Sequence, residues 1–319
     1  MTKYNPYLVA VASVLSLQLE ACGGGGGGQI ASIPPPEQTP TPTPTPPSST
    51  SDVPAGAYTD FTIINQPSTG NLAVAGASAS GALADPAMLA DASLAAADQP
   101  QMRYDAATNT YQVQLPGGSW GTLWTRVDAP HPDTAAIGST GSIIGFNLYP
   151  DGDVSPYSYS ALAWDSGPIG QRYGTLAVGV PTDASALPTG GSAQYDGIIS
   201  GETDIFELDP ASGYDFARGV SGSVTLSFDF ATGSLSGSME PQLSLTESLG
   251  VFTFKNAVYS AGSYSGQFNS SVAGTNGFNG RLVGPNGEEL IGGWALPFHY
   301  SGDDQDHEAI GAWIAKQTP

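Results

Sequence analysis

Positive charge is what this sequence has least of. Lys and Arg together number 8 against 29 Asp and Glu, a formal net charge of −21 over 319 residues. So few cations cannot neutralise a run of phosphates, which excludes a direct nucleic-acid binder. The same deficit excludes a polybasic membrane-surface protein. Cysteine occurs once, so there is no intramolecular disulfide and no cysteine-based zinc site. Histidine occurs three times. The serine-hydrolase pattern G-x-S-x-G is missing: Gly233–Gly237 and Gly262–Gly266 carry Leu235 and Tyr264 at the centre. No carboxylate pair stands out as a glycosidase pair would. These absences point to a chain that is not an enzyme and needs no cofactor. Present instead are 42 glycines and 26 prolines, with 40% apolar and only 12% charged residues. That composition suits a folded, turn-rich protein rather than an acidic disordered tail.

The N-terminus reads as an export and anchoring segment. Lys3 precedes an apolar run, Leu8–Leu17, which is too short to span a bilayer as a mature helix. The run leads to Leu19-Glu20-Ala21-Cys22 and then to Gly23–Gly28. This resembles a bacterial lipoprotein signal with a Leu-x-Ala-Cys lipobox, Glu20 standing where a small or apolar residue is usual. Residues 1–21 are then the signal peptide, and Cys22 becomes the lipidated, palmitate-bearing first residue. Several acyl chains on one residue anchor far more firmly than one. Residues 22–55 form a spacer. Its glycines are flexible, while Pro34–Pro36 and the Thr-Pro alternation from Thr39 to Pro47 favour an extended chain. The six glycines satisfy a dinucleotide-binding pattern trivially, but neither strand nor helix flanks them.

The remainder predicts an all-β fold in two parts. Residues 56–150 read as a smaller β-rich, handle-like domain. It has candidate strands at Phe61–Ile64, Met102–Tyr104, Tyr111–Leu115, Trp120–Val127 and Ser142–Leu148, and a short helix over Asp85–Ala97. Residues 157–316 read as a C-terminal β-barrel. Val224, Leu226, Phe228 and Phe230 alternate strictly with Ser223, Thr225, Ser227 and Asp229, giving one apolar and one polar face. Many antiparallel strands with one buried face favour closure, which removes exposed edges. The expected architecture is a soluble, eight-stranded, antiparallel up-and-down barrel filled by its own side chains. The solvent faces read as Ser, Thr and Asp, unlike the outward apolar band of a transmembrane barrel.

Phe278-Asn279-Gly280-Arg281-Leu282-Val283-Gly284-Pro285-Asn286-Gly287-Glu288-Glu289-Leu290-Ile291-Gly292-Gly293-Trp294 resembles the barrel signature of the transferrin-binding protein B family of surface lipoproteins. Ile310-Gly311-Ala312-Trp313-Ile314-Ala315-Lys316 resembles its closing strand, and Phe230–Ser238 and Tyr104–Thr108 are similar to other segments of its single-lobe members. The resemblance covers most of residues 100–316. It implies a handle-plus-barrel lobe, lipid-anchored at the bacterial outer membrane and displayed at the cell surface. It also implies an extracellular protein ligand, often one carrying iron. This chain has one such lobe where the transferrin receptors have two. A structural or adhesive envelope protein without a specific ligand is the alternative.

Because a filled barrel leaves no interior room, a ligand must meet the connections or the outer wall. Gly201–Gly219 reads as a long acidic loop with Arg218 as its one cation and Phe206, Tyr214 and Phe216 as binding anchors. His131 reads as a surface residue. His299 and His307 flank an acidic run, Asp303–Glu308, read as a solvated hairpin with weak cation (calcium) binding as the sharper possibility. No metal site is assigned.

Overall fold

The alternation over Val224–Phe230 becomes a barrel wall because its apolar half has somewhere to go. Val224, Leu226 and Phe228 are at most 2% exposed, while Ser223, Thr225 and Ser227 line the outside. In the computed structural model the described residues are 70–80, 89, 92–105, 107–108, 110–125, 135–137, 143–147, 157–166, 172–208, 215–243 and 247–319. The expected signal segment, Cys22, the spacer, the Phe61–Ile64 strand, His131 and Tyr214 lie outside them. All described residues fall in one unit, Pro46–Pro319. None of the described helices is long and apolar enough to cross a membrane.

Two antiparallel sheets account for the described strands. The first comprises β1 (Gly70–Ser80), β2 (Gln101–Asp105), β3 (Thr110–Gln114), β4 (Trp120–Thr125), β5 (Ala135–Ile137), β6 (Ile143–Asn147), β7 (Ser160–Ser166) and β8 (Arg172–Gly179). Their order is β4-β3-β2-β1-β8-β7-β6-β5, with β1 at the centre pairing β2 through its first residues and β8 through the rest. The second comprises β9 (Ser192–Leu208), β10 (Asp215–Asp229), β11 (Ser234–Leu243), β12 (Glu247–Ser248), β13 (Phe252–Ser260), β14 (Ser263–Phe268), β15 (Gly277–Val283), β16 (Glu289–Tyr300) and β17 (Gln305–Gln317). Consecutive strands pair, except that β13 pairs with β11 rather than with β12, and β17 returns to pair with β9. With the two-residue β12 appended to β11, this is the expected eight-stranded up-and-down barrel.

Three expectations change. Ser160–Ser166 and Arg172–Gly179 join the first sheet, so the barrel strands begin at Ser192 rather than near Tyr157. Period-2 alternation identifies a strand but not the sheet that receives it. The Asp85–Ala97 helix is not formed over its described part. Ser93 bridges Ser78 as an isolated antiparallel pair, and the described helical residues, Leu89 and Ala96–Asp98, are 3-10. The third is the outer wall, which is not uniformly polar. On β11 it carries Ser234, Ser236, Ser238 and Glu240, the opposite of a lipid-facing band. On β16 and β17 it is apolar.

That apolar stretch is where the two sheets meet. Ile291, Ala312, Ile314 and Val283 from the barrel pack with Ala73, Ala75, Leu162 and Ala177 of the first sheet. Ala295 and Ile310 pack with Ala77, Ala79 and Leu89. Small residues on β1 bring the backbones together: a Cβ built on Gly293 would overlap the backbone of Gly76. Glu289 fixes the approach at one end. It is 1% exposed and accepts hydrogen bonds from the Ser158 and Tyr159 amides (2.6 and 3.0 Å) and the Ser160 hydroxyl (2.6 Å). Burial pushes its carboxyl above the usual range, and these three donors, with Lys316 opposite it on β17, pull the other way. A buried acid is retained here because its acceptor capacity is used.

Inside the barrel, side chains leave little room. Trp294 lies over Gly311 and Gly201, where any Cβ would strike its ring. The Trp313 indole N–H donates to Tyr264 Oη (2.7 Å), which donates to the Ile291 carbonyl (2.8 Å). Burial holds the Tyr264 phenol firmly protonated. Phe228 meets Tyr195, Tyr259 and Tyr264 edge-on, with centroids 5.4–5.6 Å apart.

Two substitutions separate the interior from the intersheet contact. Trp294→Ala should destabilise by about 3–5 kcal/mol, as expected for an aromatic removed from a closed core. Gly293→Val should instead unseat the first sheet: β1 amides should lose exchange protection while Trp294 and Trp313 keep their buried emission. Equal protection of β1 in the Val variant and the parent would refute the contact's role.

Candidate functional site

At one end of the barrel β9, β10, β12 and the β16–β17 hairpin bring charged side chains together. The sequence reading made Gly201–Gly219 a loop. It is mostly ladder: β9 runs to Leu208 and β10 starts at Asp215. The loop reading failed because the segment's acidic residues and glycines are poor strand formers, and tertiary pairing overrides that preference.

A bulge shapes this ladder. Ala217 opposes Phe206 and Gly219 opposes Glu202, so three residues of β9 face Arg218 alone. Bulges at barrel rims re-aim side chains, and this one serves two networks. In the first, Arg218 Nη1 donates to Tyr300 Oη (2.9 Å) and Nη2 to Glu247 Oε2 (3.1 Å), while Tyr300 Oη donates to the same Glu247 oxygen (3.0 Å). Glu207 approaches Arg218 Nε at 3.7 Å from the solvent side. The Thr203 hydroxyl, fully buried, donates to the Arg218 carbonyl (3.1 Å).

In the second network, His307 Nδ1 lies 2.8 Å from Asp204 Oδ1 and Nε2 lies 3.0 Å from Asp303 Oδ2. The Glu308 amide also donates to Asp204 Oδ1 (3.2 Å). The Phe298 and Tyr300 rings flank the imidazole, each with its centroid 6.0 Å away. Burial raises the Asp204 carboxyl above its ordinary range, opposed by its bonds to His307. His299 sits between Asp306 (3.0 Å) and Asp304 (3.2 Å) at the surface. Its imidazole is held above the usual histidine range, first by the Asp306 hydrogen bond.

Of the three proposed anchors, Phe206 lies half-buried on β9. Phe216 occupies the β10 position opposite Glu207, one register step from the Phe206–Ala217 pair. Tyr214 is outside the described residues. Arg218 pairs with Glu207 and Glu247, while Asp204 is met by His307 Nδ1. The hairpin tip at Asp303–Asp304 is solvent-facing, as read, but His307 at its base is only 13% exposed. Among the described residues no group of three or more His, Cys, Asp or Glu is arranged to hold a metal ion. Sequence gave no signal for the His307–Asp204 pair, whose members lie 103 residues apart.

The fold is similar to solved structures of transferrin-binding protein B and of a surface lipoprotein. A single-residue variant from Haemophilus parasuis Hp5 has a TM-score of 0.44 at 12% identity, covering 78% of this chain and 45% of that one. The isotype 1 protein of serogroup B Neisseria meningitidis has a TM-score of 0.41 at 14% identity, covering 78% and 44%. The surface lipoprotein has a TM-score of 0.37 at 10% identity, covering 76% and 98%. This chain thus spans less than half the length of the first two. No protein-family model matches the sequence, and no curated protein is significantly similar to it. The likeness is one of fold.

The first network predicts a measurable coupling. With Arg218 at 16% and Glu247 at 39% side-chain exposure, a double-mutant cycle of Arg218→Met and Glu247→Gln should give about 1 kcal/mol, between exposed and buried pairs. A coupling indistinguishable from zero would make the pair a surface coincidence.

Proposed function

We propose that this chain is a lipid-anchored bacterial surface protein that binds an extracellular protein ligand at the barrel rim, without catalysis. The lipobox at Cys22 and the Gly/Pro/Thr spacer supply the anchor and the reach: 33 residues from Gly23 to Ala55, at roughly 3.1 Å each, extend to at most about 100 Å. The resemblance of Phe278–Trp294 to the transferrin-binding protein B signature makes an iron-carrying protein the ligand class to test first.

The observation that carries this reading is the rim itself. It combines Glu207 and the acidic β16–β17 tip with Phe206, at the end of a barrel whose interior is filled. Such a surface steers a partner that is cationic at its contact face and can then hold it through rings. An adhesive envelope protein would instead show broad, weak and unsaturable adhesion.

Affinity capture on the purified chain, from host fluid or culture medium with mass spectrometry of what is retained, should return one saturable partner. Its association should slow when salt rises from about 0.05 to about 0.5 M, because the screening length falls several-fold. Replacing Phe206, Tyr214 and Phe216 together by Ser should weaken binding at least tenfold; unchanged affinity with a flat salt response would move the site to the first sheet. For the anchor, Cys22→Ser should shift the protein from the detergent phase to the aqueous phase. Retention in the membrane fraction would overturn the lipoprotein assignment.

A further inference from the structure

We infer that the β15–β16 turn carries a self-modification site: Asn286 condenses with the Gly287 amide and reopens as aspartate or isoaspartate, and the change loosens the Glu289 tie beside it. Asn-Gly is the sequence in which this chemistry is least hindered, because glycine sets no side chain against the ring that forms. The pair occurs three times, at residues 276–277, 279–280 and 286–287. In the sequence the three look alike. The fold separates them.

Two of the pairs are held shut. Asn276 Oδ1 accepts from the Phe268 amide (2.9 Å) and Nδ2 donates to the Phe268 carbonyl (3.0 Å), so both ends of its side chain are committed. Asn279 donates from β15 to the Leu94 carbonyl (2.8 Å). The amides that would attack them belong to Gly277 and Gly280, strand residues paired with Ala295 and Gly292 of β16. Asn286, by contrast, is exposed in the turn. Among the described residues the Gly287 amide engages no backbone acceptor. Gly287 itself sits at φ 77°, the left-handed region that this turn requires of a glycine. Glu288 restrains Asn286, accepting from its backbone amide (2.8 Å) and from Nδ2 (2.7 Å). That carboxylate lies two residues away in the same turn, so the restraint moves with the turn and fixes it to no other strand.

The step needs neither oxidant nor reductant. Gly287 N bonds to Asn286 Cγ, the Cγ–Nδ2 bond breaks, and ammonia leaves with the amide proton. One water then opens the cyclic imide. Opening at Cγ leaves an aspartate; opening at the backbone carbonyl routes the main chain through Cβ and lengthens it by one carbon. Either product loses the Nδ2 donor and adds a carboxylate beside Glu288, which turns an attraction into a repulsion. The turn has little slack for the extra carbon. The Gly284 amide donates to the Val180 carbonyl (2.8 Å), Tyr195 Oη to the Gly287 carbonyl (2.6 Å) and the Gln317 amide to the Glu288 carbonyl (2.8 Å). Glu289 comes next, with its three donors on Ser158–Ser160. The position of its carboxylate is therefore set by the stretch of chain that isoaspartate lengthens.

Ageing the purified full chain at mildly alkaline pH, with peptide mass spectrometry and chromatographic separation of isoaspartate, tests this. Asn286 should convert at least about tenfold faster than Asn276 or Asn279, because both of those must first open locally. In denaturant the three should convert at similar rates, which identifies the fold as the selector. Hydrogen–deuterium exchange on the separated isoaspartyl fraction should show the Ser158 and Tyr159 amides exchanging faster than in unaged protein. Equal rates at the three asparagines in the folded chain, or aspartate without isoaspartate at position 286, would overturn the site. Unchanged protection of Ser158 and Tyr159 in the isoaspartyl fraction would overturn its link to Glu289.

Discussion

The whole arrangement depends on how closely β1 can lie against the barrel. Gly76 and Gly293 meet backbone to backbone, and the alanines of β1 on either side leave only methyl groups between the layers. Close-packed interiors transmit even one added carbon as strain. At this separation Ile291, Ala295, Ile310 and Ile314 can be covered, and strand β16 becomes buried on both faces. The apolar outer stretch of β16 and β17 is thereby the first sheet's floor. Without that cover it would be an exposed patch of the kind that drives association.

The barrel's two ends are held by different means. Near its start, Glu289 uses a buried carboxylate to seize the connection at Ser158–Ser160, a contact with directional demands that apolar packing lacks. At the mouth, the links are ionic and partly wet, and they join hairpins rather than layers. Between the ends, aromatic rings fill the space around Trp294 and Trp313. The molecule is thus packed at the middle and tied at the Glu289 end, with its ionic links collected at the rim.

Much of the barrel was legible because its inner and outer faces have different solvents, so alternation records the wall. Val224–Phe230 shows this directly. Strand β1 was not legible. Its Leu-Ala-Val-Ala-Gly-Ala-Ser-Ala run has weak strand preference, and its small residues are chosen for a neighbour that arrives more than two hundred residues later. Sheet membership of β7 and β8 was hidden for a related reason, since pattern carries no address. Glu289 was visible only as part of a motif; binary patterning alone would have sent it to solvent. At the rim, Phe206, Phe216 and the acidic residues were singled out from sequence, but their ladder was taken for a loop. The Arg218 and His307 networks depend on a bulge and on strand register, neither of which a linear reading contains.

The pairing of β9 with β17 has a consequence for the order of events in time. Tyr195 finds its partner at Gln317, and Thr203 finds Ala309. The wall on which β1 rests is built from β16 and β17. The earliest strand of the first sheet and the earliest strand of the barrel therefore both wait for the last segments to be made. Distant pairings must meet their chain-closure entropy before they return any energy. Closure of the ring and seating of the first sheet draw on the same final strands, so the molecule acquires its two halves nearly together, and a chain lacking β17 can complete neither.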